Sequence, residues 1–217
     1  VTAYYYKDDL VTLYHGDCLE VTDWLAADVL VTDPPYGVDY QSGRVRENLA
    51  ASILNDKDTS VRDGVLALWG NRPALVFGSW KIPRPEGTKM RLVWDTLGAN
   101  GMGDLSIPWK PSDQELYVLG PGPWQGKRTN NVISIPPVQS TAKNGRLHPH
   151  EKPVRLMDEL VAKTLGVVAD TTAGSGTTLV SASRLGRRSI GVELDEHYCE
   201  VIAKRLAQQS FNLEGIA

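Results

Sequence analysis

Cysteine is scarce in this chain: Cys18 and Cys199 are the only two in 217 residues. So distant a pair makes neither a metal-ligand spacing nor a disulfide framework, and the four histidines complete no Cys/His/Asp constellation. No apolar run approaches the roughly 18 residues of a membrane span, and the polar N-terminus lacks a secretory signal pattern. Repeats and low-complexity tracts are missing too. The expectation is a cytoplasmic protein with no metal and no membrane partner. An overall basic charge is also lacking, since the formal net charge is −3, so bulk charge does not mark a nucleic-acid binder.

What is present suffices for one sizeable core, with 41% apolar and 23% charged residues. Charge is unevenly spread. Residues 1–60 carry four Lys/Arg against eleven Asp/Glu, whereas residues 121–155 carry six against one. Such runs are commonly solvated faces, but a basic patch on an acidic protein is also what a phosphate backbone requires.

Apolar bursts alternating with amphipathic stretches predict an α/β fold with a mostly parallel sheet and helices on both faces. Seven strands are expected, at Leu10–Tyr14, Asp28–Thr32, Ala74–Phe77, Met90–Trp94, Glu115–Leu119, Gly166–Asp170 and Ser189–Glu193. The pair Met90–Trp94 and Glu115–Leu119 lacks an intervening helix and reads as antiparallel. Three helices are expected. One starts at Pro153 with an apolar stripe of Leu156, Met157, Leu160, Val161 and Leu165. Another spans Thr177–Leu185 and stops at Gly186. The last is capped by Asp195, with Tyr198, Val201, Ile202 and Leu206 facing inward. Residues 121–150 are broken by Pro and Gly and read as irregular.

Two stretches carry chemistry. "VVADTTAGSGTTL" (167–179) runs strand, acid, glycine turn, helix, and a helix N-terminus after close-approaching glycines favours an anionic or polar group. Thr177 follows Gly176 where a phosphate-binding loop needs Lys, and the third glycine of a dinucleotide fingerprint is absent. Glu193 ends the next strand, 23 residues beyond Asp170, where an acid suits ribose hydroxyls. Loop and acid together favour an adenosine-type cofactor over NAD. The second stretch, "VLVTDPPYGV" (29–38), ends an apolar run with an acid, two prolines and a tyrosine. Each proline restrains the residue before it, holding Asp33 and the Pro34 carbonyl as two acceptors, with Tyr36 as a flat stacking face.

"DPPYG", "HPHEKPVRLMDELV" and "AGSGTT…GVE", in this order and spacing, resemble S-adenosylmethionine-dependent DNA amino-methyltransferases. The catalytic motif before the cofactor loop is similar to their β group. The resemblance implies a Rossmann-like methyltransferase fold in permuted motif order, with a seven-stranded sheet containing one antiparallel strand. It implies a single domain over 1–217, with a catalytic half (1–120), a small target-recognition insertion (121–147) and a cofactor half (148–217). It implies catalysis by Asp33, Pro34, Pro35 and Tyr36 on a flipped base, with no metal. S-adenosylmethionine, left as S-adenosylhomocysteine, would be held by Asp17, Asp170, Thr172, Ala173, Gly174, Ser175, Gly176, Thr177, Thr178 and Glu193, with Lys152 and Pro153 as walls. Double-stranded DNA is the implied partner, its contacts falling to Arg44, Arg46, Lys127, Arg128, Lys143 and Arg146. The brief recognition segment favours a short site or a homodimer. Asp33 favours adenine N6 as target; the alternatives are cytosine N4, or a catalytically degenerate DNA-binding subunit. One departure stands out. Thr171 and Thr172 occupy the place where the family has Pro-Phe, whose ring packs on the cofactor.

Overall fold

"VLVT", residues 29–32, is buried at all four positions, with successive side chains in two different cores. Such a run forms only in a sheet covered on both faces. The computed structural model of the protein describes residues 3–36, 58–99, 102–138 and 151–214. Its elements in chain order are β1 (Tyr6–Lys7), β2 (Val11–His15), β3 (Val29–Thr32), α1 (Ser60–Trp69), β4 (Ala74–Gly78), β5 (Met90–Asp95), β6 (Asp113–Leu119), β7 (Val132–Ser134), α2 (Val154–Val161), β8 (Val168–Asp170), α3 (Thr177–Arg184), β9 (Ser189–Glu193) and α4 (Glu196–Glu214). One sheet holds all the strands in the order β1-β2-β9-β8-β3-β4-β6-β5-β7.

Five neighbours, β2, β9, β8, β3 and β4, run parallel. β6 is antiparallel to both β4 and β5, as the missing helix between β5 and β6 predicts. The seven expected strands all form, but the described residues hold nine. The additions, β1 and β7, are edge strands of two and three residues, too short to show a period-two pattern. β1 pairs antiparallel with β2, so the sheet holds a second antiparallel strand besides β6, where one was expected.

On one face Leu30, Val76 and Tyr117 pack with Val65 and Trp69 of α1 and with Trp24, whose ring stacks on Trp69 at 5.8 Å. On the other face Val29, Val31, Leu75 and Phe77 meet Leu156, Met157, Leu160 and Val161 of α2. There, too, Leu179, Val180 and Ile202 of α3 and α4 cover Val11 and Leu13. The three expected helices are present. Pro153 is the residue capping α2 rather than its first turn, and Leu165 lies beyond that helix, 40% exposed. α1 was not expected, because Gly64 and the weakly patterned chain before it blur its helical period. Among the described residues no helix is long and apolar enough to cross a membrane.

Candidate active site

Parallel strands bring their carboxyl ends to one edge of the sheet, so the residues that follow β2, β3, β8 and β9 converge there. The β3–β8 ladder ends at Leu30–Ala169, after which the two strands part. Crossovers leave in opposite directions on either side of this point, the usual place for a ligand crevice. Asp33 stands on one wall; Asp170 and the glycine loop form the other.

Asp33 is held from two sides. Its Oδ1 accepts the Tyr36 hydroxyl at 2.5 Å, and its Oδ2 pairs with the Lys152 ammonium. The Lys152 side chain is 6% exposed and Asp33 23%, so the anion opens towards solvent while the cation sits behind it. Lys152 Nζ also lies 4.7 Å from the centroid of the Phe77 ring and 5.9 Å from that of Tyr36, a cation–π setting that suits a buried ammonium. An ionised carboxyl offers about four lone-pair directions, so these two contacts leave acceptor capacity on Asp33. Pro34 is buried and Pro35 half-buried, which fixes the loop between Asp33 and Tyr36.

Across the crevice, Gly176 takes a left-handed φ of 77° immediately before α3. A Cβ there would stand 2.7 Å from Ile202, so only glycine lets the turn and α4 approach this closely. Ala173 closes the loop through its N–H to the Val192 carbonyl at 3.0 Å. Ser175, Thr177 and Thr178 are all buried beside it. Arg205 of α4 donates to the Ser175 carbonyl at 2.6 Å and pairs with Glu151 at 3.2 Å. Adjacent residues 151 and 152 thus tie the glycine loop to one side and Asp33 to the other.

Two carboxyls line this half. Glu193 accepts the Gly174 N–H at 2.6 Å on Oε2 and the Asp195 N–H at 2.9 Å on Oε1. Burial pushes its pKa up to about 7 against those two N–H groups, with the charges of Asp170 and Asp195 adding to the rise. Asp170 is pushed up to about 6 by burial, opposed by donors from Thr178, Thr172 and Thr32. Asp17 sits next to this pair, since the Gly16 N–H bonds the Glu193 carbonyl at 2.9 Å. One Asp17 oxygen accepts the Leu19 N–H at 2.8 Å.

These groups suit a nucleoside with free vicinal hydroxyls and a cationic end. The Glu193 carboxyl can accept from hydroxyls, Asp170 supplies negative charge, and the N-terminus of α3 favours a carboxylate. Among the described residues no group of three or more His, Cys, Asp or Glu could hold a metal ion.

The structure therefore gathers Asp17, Asp33–Tyr36, Lys152, Pro153, Asp170, Thr172–Thr178 and Glu193 along one edge. Lys152, expected as a cofactor wall, has its ammonium paired with Asp33. Lys127 and Arg128 do not join them. Trp124 bridges to Thr164, Gln125 N–H bonds the Lys163 carbonyl, and Lys163 Nζ bonds the Lys127 carbonyl, which puts this segment where β8 begins, at the opposite edge. The start of the 121–147 insertion thus lies away from the crevice. Arg44, Arg46, Lys143, Arg146, His148 and His150 lie outside the described residues. Sequence reasoning missed Thr32, Phe77, Glu151 and Arg205. Thr32 and Glu151 stand next to the motif residues Asp33 and Lys152, but their partners Asp170 and Arg205 are distant in sequence, and no motif marks Phe77 or Arg205.

Compared with known proteins, residues 55–205 match the family model described as DNA methylase, of the N6/N4 type. The chain is 32% identical to the type II methyltransferase M.ScaI of Streptomyces caespitosus, over 96% of this chain and 85% of that one. It superposes on the crystal structure of the M1.HpyAVI–SAM complex with a TM-score of 0.66 at 20% identity, covering 91% and 99% of the two chains. The cytosine-N4-specific PvuII DNA methyltransferase gives 0.69 at 16% identity, covering 94% and 89%. These two likenesses are of fold.

Proposed function

Because this chain belongs to the N6/N4 family of DNA methylases, we propose that it transfers a methyl group from S-adenosylmethionine to the N6 amine of adenine in DNA. The observation that carries the proposal is the doubly held Asp33 facing the glycine loop and Glu193 across one crevice. An exocyclic amine is a poor nucleophile because its lone pair is delocalised into the ring. Asp33 and the Pro34 carbonyl accept from the amine, draw its nitrogen towards tetrahedral geometry, and align it for attack. Tyr36, its hydroxyl spent on Asp33, keeps its ring as a platform for an extruded base. Glu193 holds the ribose hydroxyls, Asp170 and the first turn of α3 hold the amino-acid end, and Asp17 lies near the adenine. When bound, the cofactor would supply an electrophilic methyl on a sulfonium: the N–C bond forms as the S–C bond breaks, S-adenosylhomocysteine leaves, and the proton that the amine gives up passes to solvent along the part-exposed Asp33. Asp33 favours adenine, because family members with Asp at this position mostly methylate adenine. Digesting DNA to nucleosides after reaction with labelled S-adenosylmethionine tests this. N6-methyladenine is expected; N4-methylcytosine would overturn the choice of base, and no transfer despite DNA binding would leave a binding subunit.

Cofactor affinity is expected to depend on pH with a definite sign. A ligand that needs the Glu193 carboxylate loses affinity as pH falls through about 7, where that group takes up a proton. S-adenosylhomocysteine should bind about tenfold more weakly at pH 6 than at pH 8 by calorimetry. In the free protein both raised values mean that folding favours the protonated forms. Their contribution to stability is full below the ordinary carboxyl range and is lost as pH rises through about 6 for Asp170 and about 7 for Glu193.

DNA must reach the edge that carries Asp33. Two arms project from that edge, one after β4 with Trp80 71% exposed, the other between β5 and β6 with Leu105 78% and Trp109 76% exposed. We assign them DNA contact, alongside Arg44, Arg46, Lys143 and Arg146 on sequence grounds. Trp80→Ala with Trp109→Ala should weaken binding to a duplex about tenfold and spare S-adenosylhomocysteine binding. Lys127→Ala with Arg128→Ala should leave DNA affinity unchanged in the same titration.

A further inference from the structure

Thr32 is the residue before Asp33, 1% exposed, at the point where β3 and β8 part. Its hydroxyl oxygen lies 3.0 Å from Asp170 Oδ1, 3.0 Å from Thr171 Oγ1 and 2.9 Å from Thr172 Oγ1. A hydroxyl has one proton and two lone pairs, and an ionised carboxyl can only accept. The proton directions follow: Thr32 donates to Asp170 and accepts from Thr171 and Thr172. Every hydrogen-bonding valence of the Thr32 hydroxyl is used. The Thr172 N–H adds a second donor to the same Asp170 oxygen at 3.2 Å.

This cluster stands where the backbone ladder has ended. Below it the strands are joined through Val29–Val168 and Leu30–Ala169; above it they diverge to form the two walls of the crevice. The hydroxyls thus tie the segment carrying Asp33 to the loop carrying Asp170 beyond the end of the ladder. Two of the three hydroxyls come from Thr171 and Thr172, the positions where the resemblance places Pro-Phe.

Resting on the methyltransferase reading above, we propose that Thr32 is a positioning residue that sets the cofactor pocket against the amine-accepting pocket, with Thr171 and Thr172 as its matched partners. The exchange of an aromatic for threonine at 172 is then a change of device, from ring packing to a hydroxyl tie across the seam. The ionisable groups facing Asp170 are Asp33 from the β3 side, Glu193 from β9 and Cys18 from the turn after β2. Among the described residues, Thr32 is the hydrogen-bond donor to Asp170 that comes from the strand leading into Asp33.

The test uses the full chain with Thr32→Val, which keeps the shape and removes the hydroxyl, and Thr32→Ser, which restores it. Calorimetry with S-adenosylhomocysteine from pH 5.5 to 8.5 should show about tenfold weaker binding for the valine variant. The pH midpoint of this variant, set in the wild type by Glu193 near 7, should move upwards because Asp170, having lost a donor, then takes up its proton in the same range. Its kcat should also fall, and serine should return all three readings to near wild type. Thr172→Phe alone should weaken binding rather than strengthen it. Unchanged affinity and midpoint in Thr32→Val overturn the proposal. If that variant does not fold, Thr171→Val, which removes one donor to the Thr32 hydroxyl, takes its place; there unchanged affinity for S-adenosylhomocysteine together with unchanged kcat overturns the proposal. Failure of the wild-type chain to bind S-adenosylhomocysteine at all would instead overturn the methyltransferase reading, and this inference with it.

Discussion

Replacing Asp33 by asparagine is expected to lower single-turnover methyl transfer about 10²- to 10³-fold, and alanine at least as much. Asparagine has nearly the same shape, but only one of its two terminal atoms accepts. Lys152 demands that acceptor, being a buried cation paired with Oδ2. The amide NH₂ must then turn towards Tyr36 and the crevice, offering a donor where the target amine also offers one. Alanine removes both acceptors and leaves the Lys152 ammonium unpaired among Phe77 and Tyr36, so a loss of stability is expected in that variant only. Binding of S-adenosylhomocysteine should stay within about threefold for asparagine, since the cofactor contacts lie on the opposite wall. Asp33→Asn retaining more than a tenth of the wild-type rate would remove Asp33 from the catalytic role.

Lys152→Met is expected to cost about tenfold to a hundredfold in kcat, in line with the loss of a charge-assisted contact that fixes a reacting group. The sequence motif places this lysine at the cofactor, whereas its ammonium contacts Asp33. The two placements differ in what they predict. A cofactor wall would show mainly as a raised KM for S-adenosylmethionine; a clamp on Asp33 shows as lowered kcat with S-adenosylhomocysteine binding nearly intact. A double-mutant cycle separates them further. With Asp33 already asparagine, Lys152→Met should change the rate little, because the pair it breaks no longer carries two charges. Independent, additive losses would mean that Lys152 acts elsewhere. Thermal stability should change little, as methionine fits an apolar pocket beside Phe77 and Asp33 keeps access to water.

Most of the sheet was legible because its five parallel strands are short, largely apolar runs between clear breaks, and β5 and β6 are set off in the same way with no helix between them. β1 and β7 escaped notice since two or three residues show no period. α1 escaped because the helical period around Gly64 is weak. Along the glycine loop, the acid, the turn and the helix start are neighbours in sequence, so their joint purpose could be read locally. The DNA-facing surface could not. A count of Lys and Arg favoured residues 121–147, but β6 ends at the far edge of the sheet, and that strand direction carries Lys127 and Arg128 away from the crevice.

By itself the sequence determined the α/β class, the order of catalytic motif before cofactor loop, and the residue types available to each. These depend on local pattern and covalent restraint: proline fixes the backbone beside Asp33 wherever the segment sits. Only the tertiary structure decided which groups meet. Lys152 reaches Asp33 across 119 residues, and Thr32 reaches Asp170 across 138. Those meetings follow from strand order and register, which put β8 beside β3 and let both end at one edge. A side chain's partner is set by that packing, not by its neighbours in the chain.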